Sequence, residues 1–110
     1  MVPKVDVTTF PAAHTDGAFT LDVREPFEYI DGHVPGAQLA PMAQVHSRLA
    51  DVPRGETVYV ICAIGNRSYT AAGWLRGAGV DAVSGAGGTS GWARQDRPLV
   101  RGAHADEPAA

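Results

Sequence analysis

The hydrophobic positions of this chain fall into short runs separated by segments with helical spacing. The most apolar run, residues 57–61, is nearly continuous and β-branched, which is typical of a central strand buried on both faces. Further strands are predicted at residues 5–7, 19–23, 37–40 and 80–83. Helices are predicted at residues 25–31, 42–49, 68–78 and around Trp92. This alternation indicates an α/β domain with a mainly parallel sheet.

The chain is long enough for one hydrophobic core, and it shows neither an internal repeat nor a linker. Its last ten residues, 101–110, contain almost no large apolar side chain. Such a composition is typical of a segment that does not join a core. We therefore expect one domain over residues 1–100, followed by a flexible tail over residues 101–110.

Charge and composition exclude several partners. The formal net charge of −3 argues against nucleic acid, and no run approaches the roughly 20 apolar residues that span a bilayer. The N-terminus lacks the apolar core of a signal peptide, so a cytoplasmic location is expected. A single cysteine, Cys62, cannot form an internal disulfide, so the fold does not depend on an oxidising compartment.

Cys62 directly follows the most apolar predicted strand, at the edge of a parallel sheet where sites gather. Gly65 permits a tight turn, Ser68 is a candidate N-cap for the next helix, and Arg67 adds a positive charge. A strand, a tight loop and a helix start can collect backbone N–H groups into an anion site. A thiol placed there should ionise more easily than its reference pKa of about 8.5 suggests.

The alternative for a lone cysteine is a buried, inert small hydrophobe, which is the commoner case. The glycine, the arginine and the helix start within seven residues favour the nucleophile. His14, His46 and His104 are scattered, and with a single cysteine and no metal-ligand spacing of histidines and carboxylates, no metal site is expected. His33 is interpreted as a loop histidine bonded to backbone, with no role as a base.

Several motifs in order resemble those of rhodanese domains, over roughly residues 3–100. Residues 62–68 resemble the Cys-x-x-Gly-x-Arg-Ser active loop of that family. Residues 21–24 with Glu28 and Tyr29 resemble its Asp-Val-Arg segment, and residues 32–37 resemble its Gly-His-Ile-Pro-Gly-Ala motif. Gly87, Gly88, Trp92 and Pro98 fit its closing signature, although Asp96 replaces a glycine that is common there.

The resemblance implies a three-layer domain, with a central five-stranded parallel sheet flanked by helices on both faces. It also implies sulfur transfer through a Cys62 persulfide, without a metal or organic cofactor. The substrate-binding residues implied by the resemblance are Ala63, Ile64, Gly65, Asn66, Arg67 and Ser68. Asp22 and Arg24 are expected to support this loop, the alternative being a structural ion pair such as Arg24 with Glu28.

The expected partners are a small anionic sulfur donor and an external acceptor. Because the chain has no second cysteine, the acceptor must be cyanide, a small thiol or a partner protein. Many members active on thiosulfate have a polar or charged residue where Ala63 and Ile64 stand. The donor is therefore left open among thiosulfate, mercaptopyruvate and a persulfide supplied by another protein.

Three other functions are weighed against sulfur transfer. A phosphatase or arsenate reductase is disfavoured, because four residues separate Cys62 from Arg67, whereas related phosphatases have five. A sulfur carrier, binding module or redox sensor with little thiosulfate turnover stays open, since a readily ionised thiol is also readily oxidised. The Met1 start and the polar tail favour a free single domain over a fragment of a two-domain enzyme.

Overall fold

The computed structural model describes residues 2–105 of the chain. Its strands are β1 (Lys4–Val5), β2 (Phe19–Asp22), β3 (Gln38–Leu39), β4 (Val58–Ile61) and β5 (Ala82–Gly85). Its α-helices are α1 (Thr9–Thr15), α2 (Pro26–Asp31), α3 (Asn66–Gly77) and α4 (Gly88–Arg94). Two 3₁₀ helices lie between β3 and β4, at Met42–Gln44 and His46–Asp51.

The strands form one parallel sheet in the order β1-β5-β4-β2-β3, which confirms the predicted sheet. β4 is the central strand, as its apolar run predicts. Its carboxyl end is in register with β2 through Asp22 and Ile61, and with β5 through Ser84 and Val60. Consecutive side chains of β4 alternate between the two faces of the sheet, so Val60 and Ile61 enter different cores.

Two hydrophobic cores cover the two faces of the sheet and confirm the three-layer arrangement. On one face, α3 and the 3₁₀ segment bury a cluster that includes Val58, Val60, Cys62 and Leu75. On the other face, residues of α1, α2 and α4 pack around Ile61, with Phe10, Tyr29 and Trp92 at the centre. Cys62 therefore lies at the edge of the core, where the buried strand β4 ends and the loop towards α3 starts.

Helix α1 was not predicted from the sequence. Its start is fixed by Asp6, whose side chain accepts hydrogen bonds from the backbone N–H groups and hydroxyls of Thr8 and Thr9. Pro11 lies in the first turn, where a missing N–H group costs little, and Phe10 is buried. A seven-residue helix with one strongly apolar residue gives too weak a periodic signal to be recognised.

Two other helix predictions need correction. Residues 42–49, predicted as an α-helix, form two 3₁₀ helices with backbone bonds such as Val45 N–H to the Met42 carbonyl. Ser68 is not an N-cap, because α3 begins two residues earlier, at Asn66, with Gly65 as the capping residue. Gly65 has a φ of +118°, a conformation that side chains resist, and this places the helix start closer to Cys62 than expected.

The segment predicted to be a flexible tail contacts the domain over its first part. The N–H group of Gly102 donates to the Ile30 carbonyl, and the N–H group of Gly36 donates to the Ala105 carbonyl. Residues 106–110 lie outside the described residues. The mobility and the boundary of the tail stay predictions. Within residues 2–105, no helix has both the length and the apolar character needed to cross a membrane.

Candidate active site

The carboxyl ends of three neighbouring strands bring the candidate residues together. β2 ends at Asp22, β4 runs into Cys62, and β5 carries Ser84 beside Val60. Val23 donates its N–H group to the Ile61 carbonyl, which continues the sheet pairing past the end of β2. This edge of the sheet is where sites form in parallel α/β folds.

The thiol of Cys62 is surrounded by hydrogen-bonding groups, which we call the cradle: the backbone N–H groups of Ile64, Gly65 and Ser68, and the Ser68 hydroxyl, which accepts from the thiol and can donate to the thiolate. The Gly65 nitrogen lies 3.1 Å from Sγ, and the Ser68 Oγ lies 3.5 Å from it. Cys62 is only 1 % exposed. A reagent must therefore present a small terminal atom to reach the sulfur.

Two opposing effects set the acidity of Cys62. Burial raises the pKa of the thiol, because it removes water from the charged form. The hydrogen bonds of the cradle lower it, with the Ser68 hydroxyl first, followed by the N–H groups of Ser68, Gly65 and Ile64. The second effect is larger, so the pKa of Cys62 lies below its ordinary value. The cradle thus favours the thiolate, which is the nucleophilic form.

The Ser68 hydroxyl has a second hydroxyl behind it. Its Oγ lies 2.8 Å from Ser84 Oγ and 3.1 Å from the Gly65 carbonyl, and both serines are fully buried. When Ser84 donates to Ser68, the single proton of Ser68 is left for Cys62 or for Gly65. Ser84 is not among the residues predicted from the sequence. The feature that could have identified Ser84 is a hydroxyl side chain near the carboxyl end of β5, the strand next to the central strand.

The start of α4 holds the other side of the loop. Thr89 and Ser90 donate their N–H groups to the carbonyls of Cys62 and Ala63, at 2.9 and 3.0 Å. Gly88 makes this approach possible, since a Cβ there would lie 2.3 Å from the Cys62 carbonyl oxygen, and its φ is +53°. With these two carbonyls fixed, the loop backbone that follows is oriented so that the N–H groups of Ile64 and Gly65 point at Sγ. From the sequence, Gly88 is recognised only as part of a closing signature.

Asp22 and Arg24 form a buried ion pair beneath this edge. The Asp22 carboxylate accepts from the backbone N–H, Nε and Nη2 of Arg24, with distances between 2.8 and 3.1 Å. Nη2 also donates to the Gly32 carbonyl, at 2.9 Å. The pair thus joins the end of β2 to the end of α2. Its predicted supporting role for the Cys62 loop stays a prediction.

Arg67 is paired with Glu28 in a bidentate arrangement, at 2.7 and 2.9 Å. The alternative pairing of Arg24 with Glu28 is therefore not the one observed. The hydrogen bond to Glu28 is the main reason that the pKa of Arg67 is raised, and the negative charges of Cys62 and Asp22 add to it. Arg67 thus lies in the field of the thiolate, although its guanidinium is occupied by a carboxylate.

The remaining residues singled out from the sequence differ in their contacts and in their exposure. Ala63 contributes its carbonyl to α4, while Ile64 contributes an N–H group to the cradle and exposes its side chain. Asn66 is exposed and opens α3. His33 is buried, with its ring nitrogens at 2.8 and 2.7 Å from the Tyr29 and His104 carbonyls, which confirms that it bonds to backbone.

Among residues 2–105, no three histidine, cysteine, aspartate or glutamate side chains lie close enough to hold a metal ion together. The site consists of a readily ionised cysteine in a ring of backbone N–H donors at the end of a parallel sheet. This arrangement defines a class of α/β domains that stabilise a cysteine thiolate at the end of a parallel sheet.

Comparison with known proteins places the chain within this class. The family model described as a rhodanese-like domain matches residues 9–95. A sulfurtransferase of Allochromatium vinosum is 34 % identical over 103 residues, covering 91 % of this chain and 96 % of the relative. The chain belongs to the rhodanese-like domain family, and it has a sulfurtransferase among its relatives.

Two solved structures agree with this family. A rhodanese-related protein of Thermoplasma volcanium superposes with a TM-score of 0.80 at 29 % identity, covering 88 % of this chain and 96 % of the other. A thiosulfate sulfurtransferase of Pseudomonas aeruginosa superposes with a TM-score of 0.79 at 28 % identity, covering 99 % of this chain but 22 % of the other. This chain thus matches only a part of the Pseudomonas protein.

Proposed function

We propose that this protein is a sulfurtransferase that moves a sulfane sulfur from a donor to a thiophilic acceptor through a persulfide on Cys62. The observation that carries this proposal is the cradle of N–H and hydroxyl donors around Sγ, which lowers the pKa of the thiol. Membership of the rhodanese-like family and the sulfurtransferase relative support it.

In the first half-reaction, the Cys62 thiolate attacks the outer sulfur of the donor. With thiosulfate, the S–S bond of the donor breaks, sulfite leaves with the electron pair of that bond, and Cys62 keeps the outer sulfur as a persulfide. The persulfide is itself anionic, so the donors of the cradle stabilise the product as well as the nucleophile. The family's thiosulfate sulfurtransferase of Pseudomonas aeruginosa supports thiosulfate as a donor to test.

In the second half-reaction, the acceptor attacks the outer sulfur of the persulfide. The S–S bond breaks and the Cys62 thiolate is regenerated, with thiocyanate as the product if the acceptor is cyanide, or a new persulfide if it is a thiol. The chain has one cysteine, so no second thiol of the same chain can displace the sulfur. The acceptor is therefore external, and neither step needs a metal or an organic cofactor.

The decisive experiment is the intact mass of the protein after incubation with thiosulfate, and again after addition of cyanide. We expect a gain of one sulfur atom, removed by cyanide with formation of thiocyanate. The Cys62→Ser variant fills the same space without the nucleophile and should show neither change. A sulfur gain in that variant would refute the assignment of Cys62. Loading without release to cyanide or to thiols would instead favour a sulfur carrier.

A further inference from the structure

Arg67 does not present a free positive charge at this site. Both terminal nitrogens of its guanidinium donate to the two carboxylate oxygens of Glu28, at 2.7 and 2.9 Å, in a bidentate, charge-assisted arrangement. The hydrogen bonds from Arg67 lower the pKa of Glu28 to about 2. The carboxylate is therefore ionised, and the pair intact, at every pH near neutrality.

The charges at the end of the sheet are balanced pair by pair. Arg24 is matched by Asp22, and Arg67 is matched by Glu28. The Cys62 thiolate adds a negative charge that is felt by Arg67, but the guanidinium of Arg67 already donates both of its terminal N–H groups to Glu28. Lys4 lies on β1, where its ammonium group is over the Tyr69 ring, 4.7 Å from the centroid. Apart from Lys4, these side chains carry a net charge of −1 when Cys62 is ionised, and a donor with two negative charges would approach them.

Two large apolar side chains are exposed on the two segments that the Glu28–Arg67 pair joins, next to a groove that also contains charged side chains. Phe27 is 73 % exposed and Ile64 is 60 % exposed, the two highest values among the large apolar side chains of the described residues. They belong to the two segments that the Glu28–Arg67 pair joins. An open groove of about 500 Å³ continues from Phe27 and Glu28 to Leu99 and Arg101. Exposed apolar area around a balanced ion pair suits an organic group better than a small, strongly hydrated dianion.

We propose that Glu28 determines the class of sulfur donor, because it neutralises Arg67 and so favours a persulfide borne on an organic thiol over a small dianion such as thiosulfate. This rests on the proposed function. The Cys62 thiolate attacks the terminal sulfur of R–S–SH, the S–S bond breaks, R–S⁻ leaves with the electron pair, and Cys62–S–SH is formed. Atoms and charge balance without an oxidant.

The charge at Cys62 can be measured without sulfur chemistry. Iodoacetamide is neutral and iodoacetate carries one negative charge, and both alkylate the same thiolate. Glu28→Gln keeps the acceptor oxygen that caps α2 through the Glu25 N–H group, but removes the charge that occupies Arg67. We expect the ratio of the iodoacetate to the iodoacetamide rate constant to rise about three- to tenfold at low ionic strength, and to return towards the wild-type ratio in concentrated salt.

Asp31→Asn is the matched control, since it removes one negative charge from the same helix. Asp31 is exposed and lies 3.8 Å from Arg101, so the Glu28–Arg67 pair stays intact. This variant should change the alkylation ratio by less than about twofold. Adding Arg67→Met to Glu28→Gln should abolish the gain. Because an unfolded fraction would contribute the ratio of a free thiol, both rate constants are measured under conditions where each variant is folded.

Donor kinetics complete the test. For Glu28→Gln, we expect the kcat/KM for thiosulfate to rise about three- to tenfold relative to that for the persulfide of 2-mercaptoethanol, mainly through a lower KM. An unchanged alkylation ratio, or an equal rise in Asp31→Asn, would overturn the role of Glu28. Failure of every donor to load Cys62, with the alkylation ratio raised as expected, would instead overturn the proposed function and leave the charge effect of Glu28 established.

Discussion

Two arginine–carboxylate pairs lie at the same end of the sheet, and they differ in almost every physical respect. The Asp22–Arg24 side chains are 0 % and 7 % exposed, and the guanidinium also holds a backbone carbonyl. The Glu28–Arg67 side chains are 22 % and 38 % exposed and join α2 to the start of α3. One pair is part of the interior, and the other lies partly at the surface, next to the loop of the candidate nucleophile.

This difference in burial predicts that the two pairs affect different properties of the protein. Removing one partner of a buried pair leaves the other charge without water or counter-ion, so the fold is destabilised by the change. A partly exposed pair is screened by solvent and contributes little to stability, yet its charge reaches a nearby thiolate. We therefore expect changes at the buried pair to act mainly on folding, and changes at the exposed pair mainly on reactivity.

The largest effect should come from Asp22→Asn. The Arg24 guanidinium would stay buried without its counter-charge, at a cost of about 3–5 kcal/mol in the free energy of unfolding. Chemical denaturation measures this loss. The control is Asp51→Asn, which breaks the exposed Arg48–Asp51 pair at 3.0 Å and should cost less than about 1 kcal/mol. Equal losses in the two variants would show that burial does not distinguish these pairs.

Gly88→Ala should have the next largest effect, because it acts on the backbone that shapes the cradle. The new Cβ would meet the Cys62 carbonyl oxygen at 2.3 Å, in a backbone conformation with a φ of +53°. We expect a loss of about 2–4 kcal/mol in stability, together with slower alkylation of Cys62. Gly55→Ala is the control, since Gly55 has a φ of +82° and no neighbouring atom lies within 4 Å of the place its new methyl group would take. It should cost about 1 kcal/mol and leave the thiol unaffected.

Ser68→Ala should raise the pKa of Cys62, because the Ser68 hydroxyl is the largest of the groups that lower it. The rate of alkylation by iodoacetamide near neutral pH should fall about five- to tenfold, and its pH midpoint should move to higher pH. Ser84→Ala keeps the Ser68 hydroxyl and should have a smaller effect in the same direction. A lower midpoint in Ser68→Ala would contradict this account of the cradle.

The smallest effect on stability should come from Glu28→Gln, at about 0.5–1 kcal/mol near neutral pH. The pKa of Glu28 is lowered from its ordinary value of 4.5 to about 2, so the stabilisation is present above 4.5 and is lost as the pH falls towards 2. Denaturation of the wild type and the variant across this range should give converging stabilities. A difference in stability that grows at acid pH would show that the charge of Glu28 does not stabilise the fold.

The sequence predicts the features of this fold that rest on strong local signals. The run at residues 57–61 identifies the central strand, and the tight loop after it identifies the candidate nucleophile. What it fails to predict either has a weak periodic signal or depends on contacts between distant parts of the chain. Helix α1 depends on Asp6 and one buried phenylalanine, and the 3₁₀ geometry after Pro41 is not visible in a pattern that merely repeats every three or four residues.

The site shows the same division. Residues 62–68 lie together in the chain, so their grouping around one candidate nucleophile can be predicted from the sequence. Ser84 and the start of α4 reach Cys62 only through the order of the strands, which places β5 beside β4. The partner of Arg67 is 39 residues away and could not be chosen from several carboxylates. Pairing of charges is a three-dimensional property, and the sequence offers only candidates.

The contact between α4 and the Cys62 loop has a consequence for biosynthesis. The carbonyls of Cys62 and Ala63 are held by Thr89 and Ser90, which leave the ribosome after the cysteine does. Until that part of the chain has emerged and β5 has paired, Cys62 is an ordinary thiol, mostly protonated near neutral pH. We therefore expect the thiolate fraction of Cys62 to rise only when the fold is completed.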